Sequence, residues 1–310
     1  MSNCPACHSS IHDPLYLDVP DFEHGFPISV NFQRCHSCYS IFQNPALTAA
    51  QLSNTYPTDY RPHLSISHGS IISRSIGNLK RLQASFLARK LLKYLPNDKN
   101  TPILEIGCGR GYFIEALLNR GYKDLSAIDQ NSNLGNELSS RGVYFYSLNL
   151  DEDSAFPKNY GTIFAFNIVE HLVDPLRVLK DCRSALRTES GRGRLILLTP
   201  NSCSLSRKLF GQYWAGLHAP RHPQVFSKNG LTSLALEAGF ERVENYLYLD
   251  PASWAISFQN FITSLSGRNE SKRHASGTAW YTLLGLPFWY PFAAAELLVG
   301  RTSSFVTILQ

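Results

Sequence analysis

Three groups of residues in this sequence have types and spacings that can do chemistry. The first is two C-x-x-C turns, Cys4/Cys7 and Cys35/Cys38, with His8 to Arg34 between them. Each turn offers two thiolates, and two turns complete a tetrahedral four-sulfur shell for structural zinc. Such a shell is closed, so its ion would hold structure and leave no position for substrate. The second group runs acid-x-G-x-G-x-G: Glu105, Gly107, Gly109 and Gly111, with Asp129 further on. Glycines let a backbone approach a ligand closely, and a following helix offers unpaired N–H groups. An acid at the end of the next strand can accept both hydroxyls of a ribose. The dinucleotide pattern G-x-G-x-x-G fails, because the sixth position from Gly107 is Tyr112; this disfavours a nicotinamide oxidoreductase. The third group is KLFGQYWAGLHAPRHPQVFS, Lys208 to Ser227. An imidazole titrates near pH ~6.5 and can serve as a base at neutral pH. His222 and His218 are the candidates, and Arg221 offers a cation to a phosphate or carboxylate.

These side chains need elements to position them. An apolar run from Ile103 to Ile106 reads as a strand, followed by the glycine turn and a helix with Phe113, Ala116 and Leu117 on one face. Leu125 to Ile128 is a second strand, ending on Asp129. A helix near Leu134 to Arg141 leads to a strand, Val143 to Leu148. Tyr160 to Asn167 is the fourth strand, and Asp174 caps a helix to Leu186 that starts with Pro175. Arg194 to Thr199 is the fifth strand, and the histidine block falls after it. Ser227 caps a further helix that Gly239 ends. Phe240 to Leu249 and Ser304 to Leu309 should pair antiparallel at the sheet edge. Ahead of all these, residues 71–95 form a helix with Ile72, Ile76, Leu79, Leu82, Phe86, Leu87, Leu91 and Leu95 at helical spacing. The fold class is α/β, a doubly wound sheet.

The run from Glu105 to Gly111, with Asp129 in register behind it, resembles the first motif of class I S-adenosylmethionine (SAM)-dependent methyltransferases. The resemblance implies a Rossmann-like seven-stranded sheet with SAM as cofactor. Gly107, Cys108, Gly109 and Gly111 would wrap its methionine part, and Glu105 would orient the amino end. Asp129, with Gln130 beside it, would take the ribose hydroxyls. Asn149 and Leu150 would contact the adenine, with Asp151 as the spare acid, and Asn167 would sit at the ligand end of the fourth strand. Gly161 stands where relatives usually carry an aspartate. The cysteine ribbon, a Y-x-x-x-Y-x-x-H stretch (Tyr56, Tyr60, His63) and the block P-R-H-x-x-x-F-S resemble a subgroup that includes deoxysugar C-methyltransferases. There the resemblance points to His222 as general base and to Tyr56, Tyr60 and His63 facing the substrate, the alternative for these three being a plain linker that packs its rings. Glu170-His171 is similar to the acid-histidine pair of ubiquinone-type O-methyltransferases, which helps hold a divalent metal. The preferred reading of His171 is nevertheless that it packs over the strand end and caps the pocket.

The 310 residues are 44% hydrophobic and 17% charged, globular and long enough for more than one domain. A net charge of +5 permits an acidic substrate, but no basic-aromatic stripe marks a nucleic-acid partner. The first residues lack the pattern of a secretory signal, so the chain reads as cytoplasmic. The expected divisions are a zinc ribbon at 1–45, a substrate-facing segment at 46–70, the SAM-binding domain at 71–249, a hydrophobic insertion at 250–301 and a final strand at 302–310. Within the insertion, Ala279 to Val299 is nearly all apolar and approaches the length of a membrane span. Gly285, Pro287, Pro291 and Glu296 argue against spanning. A broken helical hairpin, packed on the domain or on a second subunit of a homodimer, is the first expectation. A face resting peripherally on a membrane is the second, supported by Trp280, Trp289, Lys272 and Arg273. The functional expectation is methyl transfer from SAM to oxygen or carbon of a small molecule, such as a sugar, glycan precursor or lipid-linked acceptor. The alternative is a non-catalytic SAM-binding or zinc-ribbon interaction module in a membrane-associated assembly.

Overall fold

The computed structural model describes residues 3–56, 71–153, 156, 159–187, 193–265 and 285–310. Tyr60, His63, Lys272, Arg273 and Trp280 lie outside the described residues.

The chain opens with three antiparallel strands, β1 (His12–Pro20), β2 (Ser29–Cys35) and β3 (Ile41–Gln43), then a short helix α1 (Ala49–Ser53). Helix α2 (Ile71–Leu91) follows. The alternating units come next: β4 (Ile103–Ile106), α3 (Tyr112–Leu118), β5 (Leu125–Asp129), α4 (Gly135–Ser140), β6 (Tyr144–Ser147), β7 (Thr162–Phe166), α5 (Pro175–Ala185) and β8 (Arg194–Pro200). Helix α6 (Leu205–Phe210), strand β9 (Gln224–Val225), helix α7 (Lys228–Glu237) and strand β10 (Val243–Tyr248) lead to α8 (Pro251–Leu265), α9 (Leu286–Leu298) and β11 (Ser304–Leu309).

The main sheet has seven strands in the order β10-β11-β8-β7-β4-β5-β6. β4 pairs parallel with β5 on one side and β7 on the other, so the chain changes direction across the sheet there. Ligands in such sheets bind outside the carboxyl ends of strands at that switch. The central strands are apolar and buried along their length, as strands covered on both faces must be. The last strand pairs antiparallel with β10 as expected, and also antiparallel with β8, which leaves β10 at the edge.

Two features differ from the sequence reading. In α2, Leu82 is 69% and Phe86 58% exposed. The buried face is Ala88 and Leu91, with Leu95 beyond the helix end and Leu87 alongside. Apolar residues occupy more of this helix's circumference than α3 can cover, so spacing alone selects the wrong stripe. The second concerns the N-terminal sheet, which takes a fourth strand from far along the chain: β9 pairs with β3, Ile41 opposite Val225. Its core mixes Val19, Phe32 and Ile41 with Trp214, Leu217 and Val225 from the histidine block.

The late insertion forms a hairpin whose described arms are α8 and α9. Trp254 stacks on Trp289 at 6.4 Å between centroids, and Phe258 packs on Trp289 at 5.2 Å. Glu296, fully buried, accepts from the Ser206 and Ser303 backbone N–H groups at 2.9 and 2.7 Å and so ties α9 to α6 and to the start of β11. No helix among the described residues is long and apolar enough to cross a membrane.

Candidate active site

The glycine loop lies at the carboxyl ends of β4 and β5. Gly107, Gly109 and Gly111 all have positive φ, at 69°, 50° and 66°. A Cβ on Gly107 would fall 2.0 Å from Ile168 Cδ1, so both backbone and space demand glycine there. Asp129, at the end of β5, accepts the Gly109 N–H at 2.8 Å on one oxygen and the Asn131 N–H at 3.0 Å on the other. Each oxygen keeps a second lone pair. Glu105 is buried on β4, and its Oε2 has no hydrogen-bond partner among the described residues. Burial, reinforced by the Asp129 charge, lifts its pKa well above the usual carboxylate range. An orphaned buried carboxylate oxygen costs about 1–3 kcal/mol or more, which a cationic donor in the cleft would recover. Cys108 is buried in the same loop.

The neighbouring wall comes from the next two strands. Gln130 Nε2 donates to Asn149 Oδ1 at 3.1 Å, linking the ends of β5 and β6. Leu150 packs partly buried beside them. Asp151 accepts the Val173 N–H at 2.9 Å, so it braces the turn after β7. Asn167, exposed just beyond β7, holds a left-handed backbone at φ 53°. That conformation is uncommon outside glycine and best tolerated by Asn and Asp.

The histidines meet behind this turn. Residues Val169–His171 form one turn of 3-10 helix after β7, clamped to the histidine block by Gln224, whose Nε2 donates to the Leu172 and Val169 carbonyls. His222 donates from Nδ1 to the Gly216 carbonyl at 2.9 Å, while its Nε2 lies 3.2 Å from His171 Nε2. His171 Nδ1 faces the Arg221 carbonyl at 3.1 Å and the Tyr56 hydroxyl at 3.0 Å. Glu170 is fully buried. Its Oε2 accepts from Thr199 at 3.0 Å, and its Oε1 has no partner among the described residues. Burial raises Glu170 to about 8, lowers His171 to about 3 and holds His222 well below the imidazole norm. His218 stands apart: its Nδ1 lies 2.9 Å from Glu23 Oε1, and its ring centre is 5.0 Å from that of His222.

Arg221 does not face a substrate. It is fully buried, 2.7 Å from Asp21 Oδ2, and donates to the Thr55 carbonyl at 2.8 Å. Asp21 in turn accepts the backbone N–H groups of Glu23, His24 and Phe26. Burial would raise the Asp21 pKa, but the Arg221 hydrogen bond and charge outweigh it and leave the carboxyl below its usual value. Sequence reasoning passed over Asp21 and Glu23, because nothing local ties them to residues in the histidine block.

The four paired cysteines converge. Their sulfurs lie within 4.8 Å of one another, with Cys4–Cys38 at 3.7 Å and Cys7–Cys35 at 3.6 Å. A disulfide needs about 2.05 Å, whereas the edge of a tetrahedron with metal–sulfur bonds of ~2.3 Å is about 3.8 Å. The start of α7 abuts the cluster: a Cβ on Gly230 would sit 3.3 Å from Cys38 Sγ, and Ser227 donates to the Cys38 carbonyl. His8 and His36 point away, paired with Glu237 and Asp13.

A family model described as a methyltransferase domain matches residues 79–245. A protein of Mycobacterium tuberculosis named as a probable S-adenosylmethionine-dependent methyltransferase is 29% identical over 143 residues, 44% of this chain and 48% of the relative. A ubiquinone biosynthesis O-methyltransferase of Cereibacter sphaeroides is 25% identical over 223 residues, 64% of this chain and 88% of the relative. The chain spans 36% to 48% of the length of the first curated relatives it matches. Among solved structures, a SAM-dependent methyltransferase from Archaeoglobus fulgidus superposes with a TM-score of 0.47 at 17% identity, covering 74% of this chain and 93% of that one.

Proposed function

This chain belongs to the methyltransferase-domain family, and from that premise we propose that it moves a methyl group from SAM to an oxygen or carbon of a small molecule. The observation that carries this is the loop itself: three left-handed glycines beside a buried Glu105 with an unpaired oxygen, facing Asp129 with lone pairs to spare. In this reading Glu105 receives the ammonium of the methionine part, and Gly107 to Gly111 pass beneath its carboxylate. Asp129 takes the ribose hydroxyls, Gln130 with Asn149 and Leu150 border the adenine, and Asn167 borders the methyl end. SAM supplies an already electrophilic methyl, so the protein has to hold the acceptor in line and remove its proton.

His218 is the better-placed base. Glu23 engages its Nδ1, which leaves Nε2 for an acceptor. His222 has its Nδ1 on Gly216 and its Nε2 turned to His171. Zinc fits the four thiolates by donor type and by sulfur spacing, and its role is to hold the N-terminal sheet beneath the histidine block. The acceptor class we favour is a sugar or glycan precursor. The apolar outer face of α8 and α9 suits a lipid-linked form of it, or a second subunit.

Calorimetric titration with S-adenosylhomocysteine tests the central reading, with NADH as the counter-ligand. The expected result is binding of the homocysteine adduct only, weakened at least tenfold in Asp129→Ala, since hydrogen bonds to a charged acceptor contribute about 1.5–3 kcal/mol. Folded wild-type protein that binds neither the adduct nor SAM sinks it. Binding without turnover over a panel of sugar acceptors would move the chain to the non-catalytic alternative.

A further inference from the structure

We infer that α2 docks on an anionic lipid surface, with Leu79, Leu82 and Phe86 entering the headgroup layer and Arg89, Lys90 and Lys93 meeting its charge. This stands independently of the methyl-transfer reading, because it rests on how one helix distributes apolar surface and charge.

Helix α2 carries two apolar faces, and the domain uses one of them. Gly77, Ala88 and Leu91 are buried. That side packs on α3: a Cβ on Gly77 would lie 3.5 Å from Tyr112 Oη, and Arg120, just after α3, donates to the Ser85 carbonyl at 2.7 Å. Leu79, Leu82 and Phe86 recur at i, i+3 and i+7 on the other side, and all three are exposed. Single exposed apolar residues are ordinary. A row of three at helical spacing, opposite a buried face, is not. The same stripe runs on, one and two turns later, through Arg89, Lys90 and Lys93, which are exposed as well. The Lys90 ammonium rests 4.7 Å from the centre of the Phe86 ring, so cation and apolar tip share one side. An interfacial helix has this form: a large apolar row with lysine and arginine around it.

Charge selects the occupant. Residues 71–94 contain Arg74, Lys80, Arg81, Arg89, Lys90 and Lys93 and no acid, six positive charges in a chain whose net charge is +5. Acids on neighbouring elements leave that excess in place: Glu115 on α3 takes Arg81 at 3.1 Å, and Glu244 on β10 pairs with Arg242 at 2.8 Å. A second copy of the chain is a poor partner, because an isologous contact would set these cations against their own copies. A nucleic-acid backbone would meet the cations but would leave the leucine and phenylalanine row against phosphates. A layer of anionic headgroups over acyl chains satisfies both. Lys and Arg can lay their stems along the apolar row and keep their charges among the headgroups. The docked helix would also lie one layer from the cofactor cleft, because Arg81 packs on the ring of Tyr112, which directly follows Gly111.

The test is co-sedimentation of the full-length protein with vesicles of phosphatidylcholine alone and of phosphatidylcholine mixed with phosphatidylglycerol. The expected result is binding to the anionic vesicles about tenfold or more above the neutral ones, falling as salt rises. Arg89→Gln, Lys90→Gln and Lys93→Gln together should weaken it by about a hundredfold, since each cation near the surface contributes about fivefold. Leu82→Ser with Phe86→Ser should weaken it by about tenfold or more. Both variants alter exposed side chains, and an unchanged melting temperature shows that each is folded; the glutamine variant serves if the serine variant is not. Wild-type protein that binds neither vesicle, or both equally, overturns the proposal. Binding that survives in both variants also overturns it and moves the contact to α8 and α9. Bulk transfer RNA that binds where anionic vesicles do not, and is lost only in the glutamine variant, overturns it by assigning the face to nucleic acid.

Discussion

Asp21 and Arg221 show what a residue pair can do when neither partner reaches water. Removing one partner of such a pair strands the other charge and costs about 3–5 kcal/mol. Arg221→Ala should therefore lower unfolding stability by that amount in urea titrations, far more than an exposed arginine would. The pair also sets an acid limit. Its folded-state carboxyl titrates below the unfolded value of ~3.9, so the stabilisation is complete above that pH and is lost as pH falls through the folded value. Asp21→Asn should be less stable at neutral pH and should show a shallower loss of stability as pH falls below the unfolded carboxylate value, both read from denaturation midpoints. Gly107→Ala tests the loop in a different way. The left-handed backbone costs about 1–2 kcal/mol with a Cβ, and Ile168 must move. The expected outcome is a modest drop in melting temperature with adduct binding reduced by more than tenfold; unchanged binding would remove Gly107 from the site. At this scale the sequence was readable wherever chemistry was local. The glycines, their two acids and the cysteine turns announce themselves by spacing. Arg221 was legible as a cation but its partner was not, because Asp21 lies 200 residues earlier, just after β1, and carries no periodic signal.

Among the elements, the N-terminal sheet matters most. Its strands hold the cysteine turns at one end and, through Asp21, Glu23 and Gln43, meet the histidine block at the other. The glycine loop belongs to a different sheet. Removing the proposed zinc from the thiolates should therefore loosen the histidines more than the cofactor cleft. Trp214, buried in the shared core of β1–β3 and β9, reports the first event. A chelator should red-shift its emission, with Trp214→Phe as the control, while adduct affinity changes less than tenfold. Equal loss of both would show that the two sheets fold as one unit. The succession of strands and helices along the chain was accessible from alternating apolar runs and helix caps. The pairing of β9 was not, since a two-residue strand between prolines and aromatics has no pattern of its own. Helix α2 misled for the opposite reason: its apolar residues are plentiful, and only the neighbour decides which of them are covered.

On the scale of the whole molecule, the outer face of the α8–α9 hairpin stands out. Phe288 is 65% and Leu298 90% exposed, with Phe258, Ile262 and Leu265 nearby. Burying one such side chain contributes about 1.5–3 kcal/mol. Phe288→Ser with Leu298→Ser should therefore weaken any association through this face by well over tenfold. The measurement is co-sedimentation with vesicles of phosphatidylcholine and phosphatidylglycerol, beside ultracentrifugation without lipid. Lipid binding lost in the double variant supports an interfacial acceptor, and a dimer lost in it supports a subunit interface. If neither is seen, the face is a solvent-exposed surface. The partnership of β3 with β9 carries a consequence for how the chain is made. Strands β1 to β3 leave the ribosome ahead of the larger sheet, yet the strand that completes their own sheet is synthesised only after most of it. Until then β3 presents an open edge, and such edges invite pairing with other chains. Slow translation through the middle of the message should lengthen that exposure. Early capture of the proposed zinc would fix the Cys35–Cys38 turn between β2 and β3 before β9 arrives.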